Sequence, residues 1–194
     1  MKRLSHIIGV AALVLMATGG SAVQADSHLE RTVPIAGTVI GEHEVVMFAP
    51  TCVVPDGADT WWQFSSNGHG NMSHLGRVEY DLTQCTYIGP TGPVSAGTIV
   101  FTAANGDTLT VAQSMSSVLI EEPPDPPVAF TVEGEWEVVE GEGRFLNAAG
   151  SGELVGRGDI PGDGVAYFAD LPDGLADFHF HGEISYDASD RSQK

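Results

Sequence analysis

Two histidines near the C-terminus have a spacing that suits metal binding. His179 and His181 lie two residues apart in an extended segment, and Glu183 follows at the same interval. Residues two apart share one face of a strand, so both imidazoles would meet a zinc or copper ion there. That face is the polar one, opposite Phe178 and Phe180, and a specific site needs a further ligand that the sequence does not supply. We therefore expect no metal site and keep these three residues as weak candidates.

His74 and Arg144 are the candidates for polar chemistry in an otherwise apolar interior. His74 opens an alternating run in which it shares a face with Val78 and Tyr80, the face expected to point inward. An inward histidine would serve as a hydrogen-bonding or acid–base group, whereas one at the rim of the core would only bond to the backbone. Arg144 would either reach inward as an anion clamp or pair with the acidic surface around Glu142. The sequence leaves both alternatives open.

The chain carries none of the motifs that mark common catalytic sites. The G-x-S-x-G and H-E-x-x-H motifs, the phosphate-binding P-loop and the dinucleotide fingerprint are all absent from the sequence. No full calcium-loop spacing occurs among the late aspartates, which are Asp159, Asp163, Asp170 and Asp173. We expect no cofactor. The lack of a recognisable acid–base pair argues against hydrolysis more than against cyclisation.

The balance of charge limits the partners. The chain of 194 residues has 26 acidic side chains against 8 lysines and arginines, which gives a formal net charge of −18. A surface of this sign repels the phosphates of nucleic acids and anionic lipid headgroups. We therefore expect neither nucleic acid nor membrane as a partner, and the oligomeric state stays open.

The N-terminus has the organisation of a secretory signal peptide. Lys2 and Arg3 precede an apolar run over residues 7–16, and small residues then lead to Val23-Gln24-Ala25. The run is too short to span a bilayer. We expect cleavage after residue 25 and a secreted or periplasmic bacterial protein.

The rest of the chain has the length of one domain. We assign residues 26–32 to a flexible N-terminus, 33–187 to the folded domain and 188–194 to a flexible C-terminus. The two cysteines, Cys52 and Cys85, are expected to form one disulfide, because an exported protein folds in an oxidising compartment.

A β-hairpin is predicted over residues 98–112. Asn105-Gly106 stands between two runs of β-branched and apolar residues, which is a strong short-range hairpin signal. A three-residue loop, 104–106, places Gly106 where a left-handed backbone is needed. This register pairs Ile99 with Val111 and Phe101 with Leu109 on one dry face.

Alternation of apolar and polar residues predicts an all-β protein. The proline-rich residues 121–127 are predicted to form an acidic surface loop. Alternation over 128–139 turns three glutamates outward, which we interpret as a solvated face. The remaining predicted strands are 33–40, 44–49, 60–65, 73–88, 151–157, 175–186 and, more loosely, 165–169. Counted without the loosest segments, eight or nine strands joined by tight turns favour an antiparallel barrel or sandwich.

Three glycine-rich motifs resemble a known group. Residues 70–77, 101–109 and 143–150 (G-R-F-x-x-A-x-G) resemble small exported bacterial proteins of the allene oxide cyclase barrel-like class, and the last motif is similar to one in plant dirigent proteins. Here Glu140 and Glu142 stand where glycine and threonine are usual. The resemblance implies a single antiparallel eight-stranded, calycin-like barrel with an apolar lumen. The characterised members of this class steer the cyclisation or radical coupling of small organic molecules without a cofactor. None of their catalytic residues can be matched to this chain, so none is carried over.

A binding barrel is the function we expect. Such a protein would hold a small apolar molecule in its lumen. The first alternative is a cofactor-free cyclase or isomerase, and the second is a barrel filled by its own side chains that acts through its surface. The residues expected to line the lumen are His74, Tyr80, Phe101, Leu109, Trp136 and Arg144.

Overall fold

The structure is a computed structural model that describes residues 31–53, 55–89, 92–120, 128–160 and 174–186. They form a closed barrel in which each strand pairs antiparallel with the next and β8 pairs with β1. The strands are β1 (Arg31–Met47), β2 (Trp61–Met72), β3 (Gly76–Gly89), β4 (Gly92–Ala103), β5 (Thr108–Ile120), β6 (Val128–Gly141), β7 (Ala149–Ile160) and β8 (Gly174–Tyr186). The predicted eight-stranded antiparallel barrel is confirmed. The expectations for the signal peptide and for residues 121–127, 165–169 and 188–194 lie outside the described residues.

The first two strands are longer than predicted. We expected separate strands over 33–40 and 44–49, but β1 runs unbroken from Arg31 to Met47. We also expected the aromatic strand to end at residue 65, whereas β2 continues to Met72. Both predictions were wrong because they read glycine-containing stretches as turns.

Gly41 and Gly68 explain why these stretches remain extended. The two residues pair across β1 and β2, and a side chain on either would overlap the opposite backbone. A side chain on Gly41 would also meet the hydroxyl group of Tyr80. These glycines therefore allow close approach inside a strand and do not form a turn.

The β4–β5 hairpin has the predicted register. Ile99 pairs with Val111 and Phe101 with Leu109. Gly106 has a φ of 86°, and the Ala103 amide donates to the Asp107 carbonyl at 2.9 Å across the loop. The turn prediction is confirmed.

Alternate residues of every strand point into the barrel and form one core. On β6, Phe130, Val132 and Trp136 are buried, while the three glutamates between them are exposed, as predicted. Trp136 extends over Gly152 and Gly182, where a side chain on either glycine would meet its indole ring. Pairing of large residues with glycines is how a small barrel accommodates bulky interior groups.

The predicted disulfide between Cys52 and Cys85 is confirmed. It ties the segment after β1 to the outer side of β3 and closes a loop with a sequence separation of 33 residues. Within the described ranges, no helix is long and apolar enough to cross a membrane.

Candidate functional site

The two ends of the barrel are built differently. At one end, here called the turn end, lie the short β2–β3, β4–β5 and β6–β7 connections. The other end, here called the loop end, carries the long segment between β1 and β2, together with connections that lie wholly or partly outside the described residues. The inward side chains change character between these ends.

The turn end is plugged by the G-R-F motif. A single 3-10 turn, Gly143–Phe145, places Phe145 fully inside the barrel with 0% of its surface exposed. Its ring contacts that of Tyr186 at a centroid distance of 5.3 Å. Further in, the rings of Phe101 and Phe180 meet edge to face at 5.2 Å. This half of the interior is a packed hydrophobic core.

Polar side chains enter the interior toward the loop end. Along β3, the inward residue after Leu82 is Gln84, and along β5 the inward residue after Val111 is Gln113. The same change occurs on β1, β2 and β4. The buried polar residues on this wall are His43, Ser66, Gln84, Thr86, Ser95 and Gln113.

The opposite wall of the same half stays apolar. Strands β6 to β8 supply Phe130, Val132, Ala176 and Phe178, all of which are buried. In the loop-end half of the interior, the buried polar side chains therefore all lie on β1 to β5, here called the polar wall, interspersed with Phe64 and Met115, and strands β6 to β8 contribute apolar side chains. Such a lining suits a ligand that has an apolar body and a polar edge.

Gln84 and Gln113 form a buried pair on the polar wall. They flank Gly97, which pairs with both in the sheet and has no side chain to separate them. The Gln113 Nε2 donates to the Gln84 Oε1 at 2.7 Å. Only 6% of Gln84 and 4% of Gln113 is exposed. No hydrogen-bond partner for the Gln113 Oε1 lies among the described residues. A buried acceptor left in this state costs about 1–3 kcal/mol.

His43 belongs to an aromatic cluster beside that pair. Its ring stacks on Phe64 at a centroid distance of 4.7 Å and an interplanar angle of 25°. Phe130 meets both rings edge to face, at 6.0 Å from His43 and 6.2 Å from Phe64. Flat aromatic rings next to hydrogen-bonding groups are typical of pockets that bind planar molecules.

Tyr80, in contrast, is hydrogen-bonded within the protein. Its hydroxyl lies 2.8 Å from Ser66 Oγ, and the Ser66 hydroxyl donates to the Glu42 carbonyl at 2.9 Å. Tyr80 therefore donates to Ser66. Burial raises the pKa of Tyr80, and this outweighs the opposing effect of the Ser66 hydrogen bond. The phenol is thus neutral at physiological pH and is not a base.

The residues expected to line the lumen separate into two groups. Tyr80, Phe101, Leu109 and Trp136 are all buried inside the barrel. They lie in its turn-end half and middle, where they fill space. Trp136 also donates from Nε1 to the Glu153 carbonyl at 3.1 Å.

His74 and Arg144 lie elsewhere. His74 is exposed in the β2–β3 turn with a φ of 66°, so it does not line the lumen, and the inward alternative considered for it was wrong. Arg144 sits at the turn end, where its Nε is 3.3 Å from an Asp107 carboxylate oxygen and its Nη2 donates to the Leu75 carbonyl at 3.3 Å. Its guanidinium also lies over the Phe145 ring at 4.8 Å. Arg144 ties the plug to the neighbouring turns.

The weak metal candidates lie on the outer face of β8. His179 is engaged at both ring nitrogens, by the Thr38 hydroxyl at 2.9 Å and an Asp177 carboxylate oxygen at 3.1 Å. Asp177 also accepts from Arg157 at 2.9 Å. His181 and Glu183 are exposed. Across the described part of the chain, no three His, Cys, Asp or Glu side chains are arranged to hold a metal ion.

His43, Gln84 and Gln113 were not predicted from the sequence. The signal for the glutamines was present, because extending the alternation beyond Leu82 and beyond Val111 puts both inside. His43 was missed because the segment around it was read as a break between strands. Neither residue type stands out by itself, since only the closed barrel shows that these positions face one another.

Comparison with known proteins leaves the function open. No protein family model matches the chain, and no curated protein matches it. Among solved structures, the chain is similar to a conserved protein of unknown function from Rhodopseudomonas palustris, with 12% identity and a TM-score of 0.41. The likeness covers 78% of this chain and 97% of the other. The interior of the barrel is therefore the best indication of function.

Proposed function

We propose that this protein is an exported binding barrel that holds a small, largely apolar molecule in the loop-end half of its lumen. The observation that carries the proposal is the uneven lining of this half, in which buried polar side chains occur on β1 to β5, beside Phe64 and Met115, and β6 to β8 contribute apolar ones. A core built only for stability has no need of polar groups at this depth. A pocket that orients a ligand needs a small number of them.

Binding is tested with a fluorescent probe and a pair of variants on β5. N-phenyl-1-naphthylamine becomes brighter in a dry apolar site, and we expect saturable enhancement with the wild-type protein. Met115 is buried inside the barrel and Ser116, its neighbour, is exposed on the outer face. Met115→Trp adds bulk inside the proposed site and should abolish the enhancement, whereas Ser116→Trp should leave it unchanged. A wild-type protein that gives no saturable signal would overturn the proposal in favour of a filled barrel acting through its surface.

A cofactor-free cyclase or isomerase is the second candidate. It is favoured by one observation, the buried imidazole of His43 against the rings of Phe64 and Phe130. Tyr80 is the other titratable side chain that the described strands place inside, and it is held neutral. Once a ligand is known, its turnover by the wild type and not by His43→Gln would support catalysis. A ligand recovered unchanged would support binding alone.

Export and the family relationship belong to the same proposal. The disulfide is consistent with folding outside the cytoplasm. The signal peptide is tested by expressing the full chain in bacteria and measuring the mass of the mature protein, which should begin at Asp26. The relationship to the allene oxide cyclase barrel-like class is supported by the eight-stranded barrel and by the G-R-F motif at its turn end.

A further inference from the structure

We infer that the ligand carries a hydrogen-bond donor, a hydroxyl or N–H group on a planar apolar body, and that Gln113 is the residue that selects it. This inference rests on the proposed binding function and adds the chemical class of the ligand. It depends on the Gln113 Oε1, a buried acceptor of the polar wall for which the described residues provide no partner.

The other buried hydroxyl and amide contacts on this wall differ from Gln113. Ser66 and Tyr80 form a continuous chain that ends on the Glu42 carbonyl. Thr86 and Ser95 bond to each other at 2.8 Å. Only in the glutamine pair does one amide use its donor while its own oxygen finds no partner within the described residues. Most buried polar atoms in proteins have a partner, so this exception requires an explanation.

The environment of this oxygen indicates what would bind it. It has almost no surface open to solvent, and Gln113 is an inward residue of β5, so a ligand donor that pairs with it would approach from the interior of the barrel. An amide oxygen accepts hydrogen bonds and repels other acceptors, so the matching group is a hydroxyl or N–H. The stacked His43 and Phe64 rings supply flat surfaces in the same half of the barrel, and these favour a planar body.

The glutamine pair is also geometrically constrained. The Gln113 Nε2 is held by Gln84 across Gly97, which fixes the amide and leaves its oxygen as the available group. A site whose acceptor is fixed in advance discriminates strongly against a ligand that lacks the donor, because the acceptor then stays buried and unpaired. Gln84 therefore acts as the positioning residue and Gln113 as the contact.

The test compares two compounds that differ only in the donor. We expect 2-naphthol to bind the wild-type protein about fivefold to tenfold more tightly than 2-methoxynaphthalene, which is the effect of one buried hydrogen bond. Titration calorimetry measures both affinities. In Gln113→Met, which keeps the length of the side chain and loses the acceptor, the preference should disappear. Ser114→Ala, the neighbouring position on the outer face, should retain it.

The outcomes separate this inference from the binding proposal. Equal affinity of the two compounds for the wild type would overturn the donor requirement and leave binding intact. Tighter binding of 2-acetylnaphthalene, which offers only an acceptor, would mean that the Gln113 amide is turned round and would also overturn it. If none of the three compounds binds, the inference is overturned. If the fluorescent probe also fails to bind, the proposed binding function is overturned too. Gln84→Met provides a second variant if Gln113→Met does not fold, and it should weaken the preference.

Discussion

At the turn end of the barrel the described inward side chains are apolar and tightly packed, whereas toward the loop end strands β1 to β5 line the interior with polar groups. Phe145 and Gln113 represent the two situations. The first is fully buried against other rings, and the second is almost as deeply buried but has an oxygen without a partner in the described chain. This contrast indicates that the packed turn-end half supplies most of the folding stability. That stability offsets the free-energy cost of burying an unpaired polar atom in the loop-end half.

The largest effect is expected at the plug. Phe145→Ala should lower the free energy of unfolding by about 3–5 kcal/mol, because it leaves a cavity where a fully buried ring was. The next residue, Leu146, is 60% exposed, and Leu146→Ala should change stability by less than about 0.5 kcal/mol. Urea unfolding followed by tryptophan fluorescence measures both. Similar small values for the two variants would show that the turn end is not the stable half.

The disulfide should give the next largest effect. Cys52 lies in the segment at the loop end, so we expect the disulfide to stabilise that end as side-chain packing stabilises the turn end. The double variant Cys52→Ser/Cys85→Ser should lose about 3–4 kcal/mol, since the link closes a long loop in the unfolded chain. Urea unfolding of this variant, with and without reductant, measures the loss. Wild-type protein unfolded in reductant should lose a similar amount, and a double variant as stable as the oxidised wild type would contradict this explanation.

Two hydrogen-bonded pairs in the interior should respond in opposite directions. Tyr80→Phe removes a satisfied bond to Ser66 and should destabilise by about 1 kcal/mol. Gln84→Leu/Gln113→Leu removes a pair that includes an unpaired oxygen and should be neutral or stabilise the ligand-free protein by about 1 kcal/mol. Thermal unfolding of both variants tests the contrast. A clear loss of stability in the double leucine variant would mean that the polar wall is structural.

The smallest effect concerns pH. The pKa of Tyr80 is raised from 10.0 by burial, so above pH 10 the unfolded chain releases a proton that the folded protein keeps. The folded state then binds more protons than the unfolded one, and stability falls as the pH rises. Tyr80→Phe should remove this contribution, and its unfolding free energy should decline less steeply between pH 9 and pH 11. Parallel profiles for wild type and variant would contradict the burial effect.

Much of the fold could be predicted from local patterns. The Asn105-Gly106 turn determines the hairpin register, and the alternation around Trp136 determines which face of β6 is buried. The sequence could not predict the fate of Gly41 or Gly68, because a glycine that opens a turn and one that admits a neighbouring strand look alike. His74 was misplaced for a related reason. Its left-handed backbone forms a turn that Ser73 anchors to Ala36 of β1 through two hydrogen bonds of 2.8 Å, and alternation does not reveal such a contact.

The all-β class, the hairpin and its register, the disulfide and the solvated glutamate face follow from the amino-acid sequence, since each depends on neighbouring residues or on pairs of one residue type. The candidate site follows only from the arrangement of the strands in three dimensions. Gln84 and Gln113 are 29 residues apart in the sequence. They lie on either side of Gly97 in the sheet, and their side chains meet because Gly97 has no side chain between them. The same closure brings His43 of β1 onto Phe64 and Phe130. Whether an inward polar residue has a partner depends on which strands become neighbours, and that is a property of the closed barrel.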